Sequence, residues 1–314
     1  MMQSPSLVAL INADADLTGG IGAVSDRFCM DTYEKYKPWL QQLDNNPRPL
    51  MDFLATRKSS KLGLYFEDLV AYWLSEKIAE DIFETHIKVS SNRGDIGEFD
   101  FLFRAGQKIE QWETAVKFYL YTENRQGEVR WYGPNARDTL DKKLSRMLGH
   151  QLRLSEHPEA KDILLTKGIN DVYAQMFLKG YLFYPPGLDL KSINRKIAGC
   201  EISPRHLTGW WTTLESFSGD MLHSCSQKKL RWRLLPRLDW MAPRIYDAQS
   251  CKDLLQTVDQ IIEIVKNQIS QADRPQLIAG YGLNEAGQWQ EESRGFVVNG
   301  NWPDAVLSDA TWKM

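Results

Sequence analysis

The sequence predicts an α/β protein with a central mixed sheet and helices packed on its faces. Two segments, 97–103 and 112–120, alternate apolar and polar residues at the two-residue period of a β-strand. A segment with apolar residues at three- and four-residue spacing precedes them at 62–73, and a long strand-like run follows at 173–184. Helical and strand-like segments that alternate along a chain are typical of a sheet covered by helices.

Composition limits the class of protein. The chain has 314 residues, of which 43% are hydrophobic, and a formal net charge of −3, so we expect a folded core and no nucleic-acid binding by bulk positive charge. The four cysteines form no C-x-x-C pair, and we expect reduced, mostly buried thiols rather than a zinc or redox motif. No run approaches the roughly 20 apolar residues of a membrane span. We therefore expect a cytoplasmic protein with no membrane partner.

We expect three parts along the chain. An N-terminal helical segment covers residues 1–56, where Pro38 should break any long helix. A core covers residues 57–190, and a C-terminal α+β extension covers residues 191–314 and packs on that core.

In the extension we expect helices over 204–217 and 251–269, and two strands within 276–298. Between the helices, basic residues from Lys228 to Arg244 are interleaved with Trp and Leu. That pattern is typical of a surface that stacks nucleic-acid bases, but also of an antiparallel strand with one solvated face, which we favour.

The core begins with a helix that carries a carboxylate beside its apolar stripe. Ser59 or Ser60 can cap this helix, and Phe83 to Val89 follow as a first strand. Glu67 lies next to the stripe, where its side chain either leans over a neighbouring sheet or is simply solvated.

Polar side chains share one face of the next two strands. Glu98 and Asp100 lie on the first strand, and Glu113, Ala115 and Lys117 on the second. The simplest hairpin register places Asp100 opposite Ala115 and Glu98 opposite Lys117. A slip by two residues would keep the faces and change the partners.

A basic ridge follows the strand pair. Asn135 and Asp138 resemble a capping box for a helix that runs to about Leu154. Along this helix, positive side chains recur at helical spacing: Lys142, Arg146, His150 and Arg153. Such a ridge is either a solvated face or a surface that binds nucleic-acid phosphates.

These residues suit phosphodiester hydrolysis. That reaction needs an activated water and counter-charge for the phosphate, which a hard divalent ion held by carboxylates supplies. Asp100, Glu113 and Glu67 are the candidate metal ligands, and Lys117 is the candidate to orient the water. Ligation by oxygen alone favours magnesium over zinc.

A helix glutamate, a strand aspartate and a following strand with an acid and a lysine resemble the PD-(D/E)xK nuclease superfamily. More closely, the chain resembles an uncharacterised bacterial family that has been grouped with it. The segments that carry this resemblance are 62–67 (LGLYFE), 97–102 (GEFDFL), 112–120 (WETAVKFYL), 133–135 (GPN), 150–152 (HQL) and 294–298 (RGFVV). The resemblance implies a restriction-endonuclease-like core, a candidate site and a nucleic-acid partner, DNA more than RNA.

The chain departs from the superfamily pattern at Ala115, where an acidic residue should precede the lysine by two positions. Glu113 is two residues further along the same face, about 13 Å from Lys117 on an extended strand. Glu113 therefore shares a metal with Asp100 only if the strand bulges or twists.

Otherwise Glu67 or Asp141 must supply the missing ligand. We expect a magnesium-dependent nuclease. The alternatives are a catalytically inactive module that binds nucleic acid or protein, and a purely structural salt bridge of Glu98 or Asp100 with Lys117.

Overall fold

The computed structural model describes residues 11–12, 21–57, 61–81, 83–124, 126–224, 229–249, 251 and 253–303. The strands are β1 (Ile11–Asn12), β2 (Ile21–Ala23), β3 (Phe83–Ser91), β4 (Gly94–Ala105), β5 (Lys108–Glu123), β6 (Val129–Tyr132), β7 (Tyr173–Tyr184), β8 (Lys196–Ile197), β9 (Cys200–Ile202), β10 (Leu207–Thr213), β11 (Arg231–Leu234), β12 (Ile245–Tyr246), β13 (Gln276–Leu283) and β14 (Trp289–Val298).

The helices of this described part are α1 (Asp26–Asn45), α2 (Arg48–Ala55), α3 (Leu62–Lys77), α4 (Leu140–Gly149), α5 (Pro158–Thr166), α6 (Gly219–Ser224) and α7 (Val258–Ala272). Two 3₁₀-helices, Gln151–Glu156 and Arg237–Trp240, complete the elements of the described part.

A large mixed sheet of 11 strands organises the molecule, as the predicted α/β class requires. Eight of its strands follow the order β11-β13-β14-β10-β7-β5-β4-β3. Of the other three, β12 pairs with β14, β2 with β7 and β6 with β5. β4 runs antiparallel to both of its neighbours, β3 and β5, whereas β5, β7 and β10 run parallel. The predicted boundary at residue 190 falls between β7 and β10, which are neighbours in this sheet.

β4 and β5 separate a short distance from the turn that joins them. Their ladder runs from Ala105 opposite Lys108 to Phe101 opposite Trp112. Before Phe101, β4 continues along β3, and after Trp112, β5 continues along β7. We call this separation of the two strands the fork.

The register predicted for this hairpin is wrong by two residues. If the observed pairing continued beyond Phe101 and Trp112, Asp100 would lie opposite Glu113, not opposite Ala115. The physical reason is the turn: two residues join the strands, with Gly106 in the left-handed region at φ 61, and a two-residue turn fixes which residues pair.

Helices cover both faces of the sheet around the fork. On one face, α3 packs Val70, Ala71 and Leu74 against Phe101 and Trp112. On the other face, α4 packs three buried residues against β5: Leu140, Leu144 and Met147. The fork therefore lies between two helices.

The predicted helix from Asn135 to Leu154 is wrong at both ends. The chain closes a turn first, in which the Gly133 amide donates to the Asp138 carbonyl at 2.8 Å, so α4 begins only at Leu140. The capping box is not formed, since the helix follows Thr139 without a side-chain cap. After Gly149 the chain tightens into the 3₁₀-helix Gln151–Glu156.

α1 runs for 20 residues through Pro38, where we predicted a break. Proline removes one helical hydrogen bond, but contacts with α3 hold the helix together on either side of it. The Trp39 ring stacks on Tyr72 at 6.0 Å, and the Tyr36 hydroxyl donates to the Lys77 carbonyl at 2.7 Å. The predicted caps of α3 at positions 59 and 60 lie outside the described residues.

The C-terminal part was predicted less well. A strand, β10, replaces the helix expected over 204–217, because its aromatic and β-branched residues favour a strand. β10 finds parallel partners in β7 over residues 207–210 and in β14 over residues 210–213. α7 begins at Val258 rather than near Cys251, after a capping box formed by Thr257 and Gln260. The two strands expected within 276–298 are confirmed as β13 and β14.

The strand interpretation of the basic and aromatic stretch is confirmed for β11. Trp232 is fully buried, and Arg233 donates to Asp239 at 2.8 Å. Cys29, Cys200 and Cys251 are buried free thiols, as predicted. Among the described helices, none has both the length and the apolar character needed to cross a membrane.

Candidate active site

Asp100 lies at the fork. Its Oδ2 accepts hydrogen bonds from the Thr114 amide at 2.8 Å and from Thr114 Oγ1 at 3.4 Å. Backbone amides inside a protein need an acceptor, and here a side chain takes the place of a β4 carbonyl. Asp100 is therefore held in place by the separation of the strands.

Glu113 is enclosed, with 2% of its surface exposed. Its Oε1 accepts a hydrogen bond from Gln151 Nε2, and Lys143 Nζ lies 4.0 Å from the same oxygen. Its Oε2 is buried and has no hydrogen-bond partner among the residues described. Because an unsatisfied buried carboxylate oxygen is costly, this atom is a position for a proton or a cation.

Glu67 of α3 joins these two carboxylates electrostatically. Burial and the charge of Asp100 raise the pKa of Glu67 to about 7. Burial and Asp100 also raise the pKa of Glu113 to about 9, against the opposing effect of Lys143, and burial raises the pKa of Asp100. The three groups therefore do not all ionise at neutral pH without added positive charge.

The donor set fits magnesium. In the described part of the chain, no three His, Cys, Asp or Glu side chains come close enough together to hold a metal ion by themselves. Magnesium, however, usually takes one or two carboxylates together with waters and substrate phosphates. Asp100 and Glu113, with its unpartnered Oε2, provide that smaller set, and Glu67 lies beside them.

The two lysines have different partners. Lys117 Nζ donates to Asp138 Oδ2 at 2.7 Å. Lys143 Nζ donates to Gln151 Oε1 at 3.2 Å and lies beside Glu113, and burial lowers its pKa while Glu113 opposes that shift. The structure therefore brings Lys143 to the carboxylates and pairs the predicted Lys117 with another group.

Two glutamines hold the 3₁₀-helix Gln151–Glu156, which we call the roof, over β5. Gln111 Nε2 donates to the backbone carbonyl of Gln151 at 3.0 Å. The Gln151 side chain bridges Glu113 and Lys143, because its amide donates to the first and accepts from the second. The roof is therefore tied to the site itself.

His86 of β3 lies level with Asp100, between the pairs Thr85–Phe101 and Ile87–Phe99. Its φ of 56° is in the left-handed region, which is uncommon within a strand and costs free energy for a residue with a side chain. Its Nδ1 lies 2.9 Å from Glu98 Oε1. Glu98 thus pairs with His86, not with Lys117 as the salt-bridge alternative required.

The predicted basic ridge is exposed at all four positions: Lys142, Arg146, His150 and Arg153. Arg146 and His150 line a cleft of about 280 Å³ that also contains Asp100 and Glu98. Arg153, in contrast, pairs with Glu156 at 2.9 Å. Two members of the ridge therefore lie at the candidate site.

Three residues at the candidate site were not predicted from the sequence: Lys143, Gln151 and His86. Lys143 had a detectable signal, because it follows the inward-facing Leu140 by three residues and so lies near the buried stripe of α4. Gln151 lies in the 150–152 segment of the family resemblance, but nothing in the pattern indicated that it would contact Glu113. The left-handed backbone of His86 has no signature in the sequence.

Comparison with known proteins identifies one family. A family model described as "Domain of unknown function (DUF1853)" matches residues 3–298. No curated protein and no solved structure matches the chain. The matched range includes α3, β4, β5 and α4, and also the C-terminal strands, so the family unit contains the whole candidate site.

Proposed function

The chain belongs to the DUF1853 family, and we propose that it is a metal-dependent nuclease that hydrolyses phosphodiester bonds. The observation that carries this proposal is the buried Glu113 Oε2, which has no hydrogen-bond partner among the described residues. It lies in a group of carboxylates whose pKa values are raised, first by burial and then by the charge of Asp100. A divalent cation would offset this negative charge.

The order of the elements also supports the proposal. α3 carries Glu67, β4 carries Asp100, and β5 carries Glu113. This is the sequence of helix acid, strand acid and strand acid in the PD-(D/E)xK resemblance. We therefore propose a restriction-endonuclease-like core in which the acid missing at Ala115 is replaced by Glu113.

Magnesium is the proposed cofactor, held by Asp100 and Glu113 with Glu67 beside them. The chemistry that a bound Mg²⁺ supplies is a lowered pKa for a bound water and neutralisation of phosphate oxygens. Asp100 is already oriented by the Thr114 amide, so its second oxygen keeps a fixed position in the fork.

We assign the lysine role to Lys143 instead of Lys117. A lysine next to the acidic group orients a water molecule and stabilises charge that develops on phosphate. Lys143 is adjacent to Glu113, whereas Lys117 is engaged by Asp138. Arg146 and His150, at the cleft, would contact the nucleic-acid backbone, with DNA as the expected partner.

Purified protein given Mg²⁺ or Mn²⁺ should cut DNA or RNA. Asp100→Asn keeps the size of the side chain and should abolish cutting, while Asp259→Asn, at an exposed position in the first turn of α7, should retain it. Circular dichroism would check that both variants fold. If the wild-type protein binds nucleic acid with either ion but never cuts it, the nuclease proposal fails and the inactive binding module is favoured.

A further inference from the structure

The cleft in front of Asp100 is small. Its volume of about 280 Å³ is at the lower end of the range for ligand pockets. One wall is β4 over residues 95–100, and the opposite wall includes Arg146, His150 and Leu154. The walls approach closely at Gly97, where a Cβ atom would lie 3.0 Å from Leu154 Cδ1.

The roof closes one side of this cleft, and its place in the fold is firm. Leu152 and Leu154 are 1% and 3% exposed, so the roof packs into the core on both sides of Arg153. Gln151 adds its bonds to Glu113 and Lys143. Lifting the roof would break these polar contacts and expose two leucines to water, which is unfavourable.

A paired duplex does not fit this geometry. Its phosphates lie on a convex surface beside a major groove about 12 Å wide and a minor groove about 6 Å wide, and its bases are stacked inside. Glu113, at 2% exposure, lies below the roof and is out of reach of such a surface. A single strand, in contrast, bends freely and can insert one nucleotide into a small pocket.

The charges of the cleft suit one phosphate held between two walls. Arg146 and His150 stand on the roof side, and Lys88 of β3 adds a third basic side chain. All three are exposed. Asp95, Glu98 and Asp100 face them from β4, so a phosphate bound by the basic groups would be brought next to these acidic ones.

We propose that the site takes an unpaired nucleic-acid strand, one nucleotide at a time, and excludes paired duplex. This inference rests on the proposed nuclease function, because it assumes that Asp100 and Glu113 must approach a phosphodiester. It names the class of substrate that the covered site admits.

The test uses the full chain and three labelled DNAs: a single strand, the same strand in a blunt duplex, and that duplex with a single-stranded tail. Binding is measured by fluorescence anisotropy in Ca²⁺, and cutting is measured separately in Mg²⁺ or Mn²⁺. The single strand and the tail should bind at least about tenfold more tightly than the blunt duplex. Cutting should be confined to unpaired nucleotides.

Gln151→Ala tests the roof directly. It removes the contacts to Glu113 and Lys143, so the preference for single strands should fall by at least about threefold as duplex binding improves. Gln41→Ala, at an exposed position in α1, is the matched control and should leave the preference unchanged.

The outcomes separate the two proposals. If the duplex binds as tightly as the single strand, the substrate inference is wrong, and the nuclease function still stands if that duplex is cut. If none of the three DNAs binds, the substrate inference is also wrong. If DNA binds with the expected preference but is never cut, the substrate inference holds for a binding site and the nuclease function fails.

Discussion

Lys143 Nζ lies 4.0 Å from Glu113 Oε1, and the side chains of the two residues are 14% and 3% exposed. The pair joins α4 to β5 across the face of the sheet on which Ala115 lies. It therefore places a positive charge where the sequence pattern had predicted Lys117. The charge of Arg146 adds to that of Lys143 in opposing the raised pKa of Glu113.

Replacement of this lysine should affect activity far more than replacement of Lys117. We expect Lys143→Met to lower the rate of DNA cutting by about 100-fold or more, since electrostatic groups at an active site contribute about that much. Lys117→Met should lower it less than about tenfold, because the half-exposed partner Asp138 regains water. Rates at saturating Mg²⁺ measure the difference, and equal losses would contradict the assignment of Lys143.

The metal-free protein should become less stable as pH rises. Glu67 and Glu113 have pKa values of about 7 and about 9 in the folded chain, above their ordinary value of 4.5, so the folded state binds more protons than the unfolded state. The free energy of unfolding should therefore fall by several kcal/mol between pH 5 and pH 8, since each pKa unit corresponds to about 1.4 kcal/mol.

Urea denaturation in the presence of a chelator measures this fall. Glu113→Gln keeps a neutral group at the position and should remove much of the slope, while Asp259→Asn, at an exposed position in α7, should not. A wild-type protein whose stability rises over the same range would show that these carboxylates are ionised in the fold.

Bound magnesium should counteract the loss of stability at high pH. Because the ion competes with protons for Asp100 and Glu113, its stabilising effect should grow as the pH rises. The melting temperature with and without Mg²⁺, taken at pH 5.5 and pH 8, tests this. A larger shift at pH 8 is expected, and Asp100→Asn should abolish it.

Gly180 should tolerate no side chain. It lies opposite Lys117 in the β5–β7 ladder with φ 142, and a Cβ atom there would lie 1.6 Å from the Lys117 carbonyl oxygen. We expect Gly180→Ala to cost more than about 3 kcal/mol of unfolding free energy.

Gly63→Ala is the matched control for that substitution. Its Cβ atom would contact nothing within 4 Å, and the position is helical, so alanine should be neutral or stabilise by up to about 1 kcal/mol. Equal stability of the two alanine variants would contradict the close approach of β5 and β7.

The sequence predicted strands well where one face of the strand is apolar or the whole strand is buried. β7 occupies the range predicted for it, 173–184, because its apolar run leaves no other assignment. The helix expected over 204–217 failed because its aromatic residues also suit a strand, and the parallel partners that decide between the two lie far away in the chain.

The sequence pattern indicated the acidic residues of the candidate site, but it did not predict their geometry. Face parity brought Asp100 and Glu113 to one side of the hairpin, but the register depended on the length of the turn at Gly106. Lys143 was missed because charged residues on α4 were assigned to the outer ridge. The contact of Gln151 with Glu113 depends on how a 3₁₀-helix packs on a strand. No local sequence pattern predicts that packing.

The position of His86 has a consequence for solubility. β3 forms the open edge of the sheet, next to the cleft. The left-handed backbone of His86 and the register shift between Val89 and Ser90 interrupt the regular hydrogen-bonding edge that another chain would need for strand addition. The irregular strand is therefore a poor template for edge-to-edge pairing with another chain.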